Sequence, residues 1–161
     1  MIRPFHIKDT EELLDIYNYY VLNTVITFDI KPLTLIIFQE KLTRIDKDFP
    51  FLIFEENDEI LGYTYGSKWR PKPAYNQTVE TTVYIKNGYG GKQIGSKLYK
   101  ALLDILKSQN YHVVLGGLTL PNEASVKLHE KFGFEQVSHF KEVGRKFDTW
   151  LDVGFWQLKL N

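Results

Sequence analysis

The chain has no cysteine. That excludes disulfide staples, a thiolate nucleophile and cysteine-held metal sites. It also lacks an excess of either charge, since twenty lysines and arginines stand against twenty aspartates and glutamates. A nucleic-acid-binding domain normally carries a basic surplus or stripe, so no nucleic-acid partner is expected. No run of like charges marks a solvated tail. Long apolar runs are missing as well. Leu35-Ile36-Ile37-Phe38 is far short of the roughly 20 residues that span a bilayer, and no membrane partner is expected. The segment Met1 to His6 has none of the apolar character of a signal peptide; a cytoplasmic location is the expectation. There is no repeat, low-complexity segment or linker. The 161 residues fit one domain, 1–161, around one core.

Aromatic residues are abundant, at 15% of the chain. They suit cores, interfaces and small-ligand clefts alike. The first half reads as two helices and a hairpin. Asp9 stands where it can cap a helix, with Glu12 three residues on as in a capping box. Leu13, Ile16, Tyr17, Tyr20 and Val21 then form one helical face. A second helix is predicted from Thr34 to Ile45. Phe51–Phe54 and Ile60–Ser67 read as strands joined by a turn at Asn57-Asp58.

The second half begins with a loop, because Pro71 and Pro73 disrupt both helix and ladder. Thr78–Ile85 alternates as a strand, with Val79, Thr81, Val83 and Ile85 on one face and Glu80, Thr82 and Tyr84 on the other. A glycine-dense turn follows, then a helix over about Lys92–Ser108. His112–Leu118 is apolar without alternation, as in a strand buried on both faces. Strand, helix, strand in this order implies a right-handed crossover between parallel strands. A short helix from about Glu123 to Lys131 has Asn122 as its cap and Gly133 as its stop. Phe134–His139 and Leu151–Leu160 read as closing strands, with Val143–Asp148 between them. The class is α/β, a mixed central sheet flanked by helices on both faces.

A glycine turn between strand and helix is a ready anion site, because free N–H groups and the positive end of the helix dipole favour phosphate. Gly90, Gly91 and Gly95 allow close backbone approach, Lys92 adds charge and Ser96 a hydroxyl. The spacing is neither a Walker loop nor the dinucleotide fingerprint, and a plain strand-to-helix connection explains the turn equally well.

Longer motifs carry more weight. They are Ala74-Tyr75, Thr78-Val79-Glu80-Thr81-Thr82-Val83-Tyr84, Leu120-Pro121-Asn122-Glu123-Ala124-Ser125-Val126-Lys127-Leu128-His129-Glu130, Val143-Gly144-Arg145-Lys146-Phe147 and Trp150 to Gln157. In this order they resemble the phosphinothricin N-acetyltransferase branch of the GNAT superfamily, with weaker similarity around Ile16-Tyr17-Asn18 and Thr27-Phe28. The resemblance implies a GNAT-like fold, acetyl-CoA as co-substrate, no metal, a small amine or amino-acid-like acceptor, and a homodimer.

Residue by residue, the resemblance implies that Glu80 is the general base and His129 the donor of a proton to the departing thiolate. The chemistry needs a base, because an ammonium cannot attack a thioester. It further implies that Val83, Tyr84 and Ile85 pair with the pantetheine arm. The phosphates would lie on the turn formed by Gly90, Gly91, Lys92, Gln93, Ile94, Gly95 and Ser96, and Asn122 and Ser125 would face the cofactor. Phe28, Arg70, Lys72, Tyr75 and Thr82 would meet the acceptor, with Val153 contributed across the dimer. Two positions depart from the superfamily loop, which runs Gln or Arg, two residues, Gly, one residue, then Gly or Ala. Gly90 stands where Gln or Arg is usual, and Gln93 replaces the first glycine, where a positive φ is costly for it.

Without the resemblance, Glu80 reads as a surface ion-pair partner, His129 as an ordinary helical histidine and Arg70 and Lys72 as a solvated loop. The functional alternatives are a GNAT enzyme for another small amine, amino acid or peptide N-terminus, and a non-catalytic acyl-CoA-binding module.

Overall fold

The computed structural model describes residues 1–161. The predicted hairpin forms as β2 (Phe51–Glu56) and β3 (Glu59–Lys68). Asn57 and Asp58 both take positive φ, 52° and 61°, as a two-residue hairpin turn demands. Alternation sends Phe51 and Ile53 to one face of the sheet and Leu52 and Phe54 to the other. Strand β1 (Ile2–Pro4) pairs with the outer edge of β2. Strands β4 (Thr78–Ile85), β5 (Val113–Leu120), β6 (Glu135–Lys146) and β7 (Thr149–Lys159) complete a seven-stranded sheet in the order β1-β2-β3-β4-β5-β7-β6. Every neighbouring pair is antiparallel except β4 and β5, the pair joined by the crossover helix.

Helices α1 (Thr10–Asn23) and α2 (Leu35–Asp48) cover one face, where Leu13, Ile16, Val21, Phe38 and Leu42 pack on Phe51, Ile53 and Tyr63. Helix α3 (Ile94–Ser108) covers the other face, with Leu98, Leu102 and Leu106 against Val79 and Val114. Helix α4 (Glu123–Lys131) lies on that second face too, adding Val126 to the same cluster. The mixed sheet with helices on both faces matches the expectation. No helix is long and apolar enough to cross a membrane.

Three readings need correction. Asp9 does not cap α1 with its side chain; its carboxylate takes Arg3 at 2.8 and 3.0 Å and the His6 N–H at 2.8 Å. A guanidinium fork outcompetes a helix N–H for a carboxylate. Glu12 likewise leaves its helix and accepts the Ile60 N–H. Val143–Lys146 is not a connection but the second half of β6. Its pairing with β7 slips between Phe140 and Gly144, where Glu142 takes a φ of 53°. That bulge breaks the alternation by which a strand is recognised.

Candidate functional site

Strands β4 and β5 pair only over Thr78–Glu80 with Val113–Leu115. Beyond that point β4 stays with β3 as far as Ile85, while β5 stays with β7 as far as Leu120. The sheet therefore forks at Glu80. The Lys86 N–H donates to Leu61 O, so alternation turns the backbone groups of Val83 and Ile85 into the fork. The Ile85 carbonyl accepts from the Tyr20 hydroxyl, which leaves the Val83 groups and the Ile85 N–H open. Two clefts occupy the fork, of about 290 and 450 Å³, and they share Val83, Tyr84, Asn122 and Ser125.

The larger cleft ends on the turn before α3. Gly90, Gly91, Gln93, Ile94, Gly95 and Ser96 line it. Helix α3 begins at Ile94, two residues later than expected, and its N-cap Gln93 makes no side-chain cap. The first N–H groups of α3 are thus free for an anion. Gly91 has φ +77° and Gln93 +61°, so the departure at Gln93 does force a glutamine into left-handed backbone. Three lysines surround the turn. Lys92 lies over the Tyr89 ring at 4.5 Å; Lys127 and Lys131 come from α4, and Lys131 Nζ donates to Ser96 Oγ at 3.1 Å. Tyr20, Lys127 and Lys131 were not predicted as site residues from the sequence. Only the fold brings α1 and α4 to this turn.

The smaller cleft holds Glu80, Thr82, Phe28 and His129. Glu80 is the last residue of β4 that pairs with β5. Burial alone raises its pKa, and it forms no ion pair of the kind a surface reading expects. Oε1 lies 3.4 Å from the point where a Cβ would stand on Gly117. His129 is 2% exposed, and its ring sits flush on β5. A Cβ at Gly116 would come within 2.3 Å of its Nε2, so only glycine fits there. Nδ1 lies 2.7 Å from the Ser125 carbonyl and Nε2 2.8 Å from the Tyr99 hydroxyl. A carbonyl only accepts, so Nδ1 carries the hydrogen and Nε2 accepts from Tyr99. Burial, partly offset by the bond to Ser125, lowers the His129 pKa. The resting ring is therefore neutral, not the imidazolium that a proton donor needs. Thr81 Oγ1, 2.9 Å from the Tyr99 oxygen, extends the chain.

Asn122 caps α4 by accepting the Ser125 N–H at 3.2 Å and also faces both clefts. Phe28 lies against Gly144 of β6. Its loop is pinned by the Tyr17 hydroxyl, which bonds Thr27 and Asp29, and by Lys146 Nζ on the Thr27 carbonyl at 2.9 Å. The remaining predicted acceptor residues are not on the cleft wall. Arg70 stacks over Trp69, and Tyr75 borders a separate hollow with Asp48 and Phe49. Lys72 precedes the short turn at Pro73–Tyr75, and β7 sets Val153 between Thr119 and Phe140. Pro71 and Pro73 carry this loop away from the ladder. Trp69 against Phe155 nevertheless holds its start near the Glu80 end of the fork.

A forked sheet with free helix N–H groups at one end and a half-buried carboxylate at the other can seat an extended ligand with an anionic tail. The pattern of the acetyltransferase (GNAT) domain matches residues 2–154. The chain belongs to the GNAT acetyltransferase family. A phosphinothricin N-acetyltransferase of Streptomyces coelicolor is 43% identical to this GNAT chain, over 99% of it and 95% of the relative. An L-methionine sulfoximine/L-methionine sulfone acetyltransferase of Pseudomonas aeruginosa is 35% identical, over 99% and 94%. A GNAT-superfamily phosphinothricin acetyltransferase of Sinorhizobium meliloti, solved in complex with acetyl-CoA, superposes with a TM-score of 0.96. It is 27% identical and is matched over 100% of this chain and 88% of its own.

Proposed function

We propose that this GNAT protein transfers the acetyl group of acetyl-CoA to the amine of phosphinothricin or a related analogue such as methionine sulfone or sulfoximine. The observation that carries the reading is the fork itself, whose two adjoining clefts lead from the free N–H groups at the start of α3 to the half-buried carboxylate of Glu80. In this reading the phosphates rest on the N–H groups at the start of α3, and the pantetheine arm pairs with the open edge of β4. The thioester then lies between Glu80 and His129. The carboxylate of Glu80 takes a proton from the acceptor ammonium, the amine attacks the thioester carbon, and the C–S bond breaks. The nitrogen sheds its second proton as the amide forms, and that proton neutralises the departing thiolate beside the Tyr99 hydroxyl, which neutral His129 holds in place. The chain has no cysteine, so direct attack in a ternary complex is preferred to a covalent enzyme intermediate.

Arg70, Lys72 and Tyr75 are proposed to meet the acceptor at the cleft entrance, and Val153 to reach it across a two-fold dimer. Support for the dimer is the exposed apolar surface of the β6–β7 hairpin. Phe140 and Trp150 there are 51% and 59% exposed. A cytoplasmic setting, and resistance to a phosphinothricin-type herbicide, follow from the same reading. A non-catalytic acyl-CoA-binding module is disfavoured, because it would have no use for a desolvated Glu80 carboxylate in the fork. The test is thiol release from acetyl-CoA with a panel of acceptors. Turnover should be strongest with phosphinothricin, methionine sulfone or sulfoximine. Strongest turnover with a polyamine or peptide would replace the acceptor class, and no turnover with any amine would remove the enzymatic reading.

A further inference from the structure

Two lysines with no role assigned above lie at the acceptor end of the fork, and they differ in what holds them. Lys146 is engaged, because its ammonium bonds the Thr27 carbonyl and fixes the Phe28 loop. Lys41, on α2, lines the same cleft as Glu80, with its Nζ 5.2 Å from the centroid of the Tyr17 ring. It forms no ion pair or hydrogen bond with the protein. Asp29 is the carboxylate that acts on it, and that carboxylate already accepts from the Tyr17 hydroxyl. A half-buried ammonium without a partner is costly. Burial lowers its pKa accordingly.

The cleft thus has a carboxylate with no bonded cation and an ammonium with no bonded anion. An amino acid has the complementary pair. Its amine belongs at Glu80 by the reading above, which leaves an oxyanion of the same molecule to be met. We propose that Lys41 binds an oxyanion of the acceptor and makes the site select amino acids over plain amines. The assignment rests on the acetyltransferase reading. Two oxyanions share this chemistry, the α-carboxylate and a side-chain phosphinate.

The experiment compares wild type with Lys41→Met on three acceptors. Phosphinothricin has both anions, methionine sulfone has only the carboxylate, and the α-carboxamide of methionine sulfone has neither. Affinity is read as KM, or as competitive Ki for a poor substrate. Loss of one charge-assisted hydrogen bond should raise KM by roughly 10- to 100-fold with kcat little changed. A rise for both acids and not for the carboxamide assigns the α-carboxylate. A rise for phosphinothricin alone assigns the phosphinate. An equal change for all three, or no change, overturns the role of Lys41. Wild type that turns over none of the acids overturns the acceptor class and this role together. Lys41→Arg should restore KM, whereas a role confined to packing on Tyr17 would let Met serve as well as Arg. If Lys41→Met does not fold, Lys41→Gln gives the same comparison.

Discussion

The Glu80 carboxyl is half-buried on β4 and its pKa is raised by desolvation, which brings it nearer to that of the amine it is proposed to deprotonate. The folded state therefore holds this proton more tightly than the unfolded chain does. Between the ordinary carboxyl pKa and the raised one, the native state binds more protons, so the contribution of Glu80 to stability falls as pH rises through that window. Glu80→Gln removes both effects. It should lower kcat by ~10²-fold or more with acetyl-CoA affinity nearly intact, and at neutral pH it should melt no lower than wild type. Steady-state kinetics and thermal melts against pH check this. Near-wild-type kcat with the same ascending limb would move the base elsewhere. His129 shifts the other way, since burial lowers its pKa. Its contribution is intact above the ordinary histidine pKa and is lost as pH falls toward the lowered one.

Most elements were legible because their periodicity is strong. Helix α3 shows its apolar stripe at Ile94, Leu98 and Leu102, and the Asn122 cap marks α4. Strand β6 was cut in two because its bulge at Glu142 erases the alternation. The roles proposed for Glu80 and His129 came only from the motif resemblance, since a lone Glu on a strand and a lone His on a helix have ordinary explanations. Lys41 left no signal, as a lysine on an amphipathic helix is unremarkable until the fold shows what it faces. The glycine turn before α3 adds a test at this scale. Gln93 sits at φ +61°, so Gln93→Gly should raise stability by about 0.5–1 kcal/mol and keep or tighten acetyl-CoA binding. Gly91 has φ +77° and open space where a side chain would stand. Gly91→Glu should weaken acetyl-CoA severely, through strain and like charge beside the phosphates. Calorimetry and denaturant melts read both variants, and unchanged affinity in Gly91→Glu would displace the cofactor from this turn.

Across the whole molecule, β6 is the outer strand of the sheet, and its hairpin with β7 exposes Phe140, Val143, Phe147 and Trp150. An apolar edge of this kind is covered in a stable protein or invites association. Light scattering at micromolar concentration should give a dimer, and Phe140→Glu with Trp150→Glu should give a monomer that binds acceptor more weakly. A wild-type monomer would remove any contribution of Val153 in trans. The fork has a consequence of another kind. A sheet whose two central strands part company midway is an unfinished ladder, and an extended ligand with amide groups can supply missing rungs. Binding acetyl-CoA is then a local act of folding. Amide hydrogens of Val83 and Ile85 should exchange many times more slowly when it is bound, while those of β1 and β2 keep their pace.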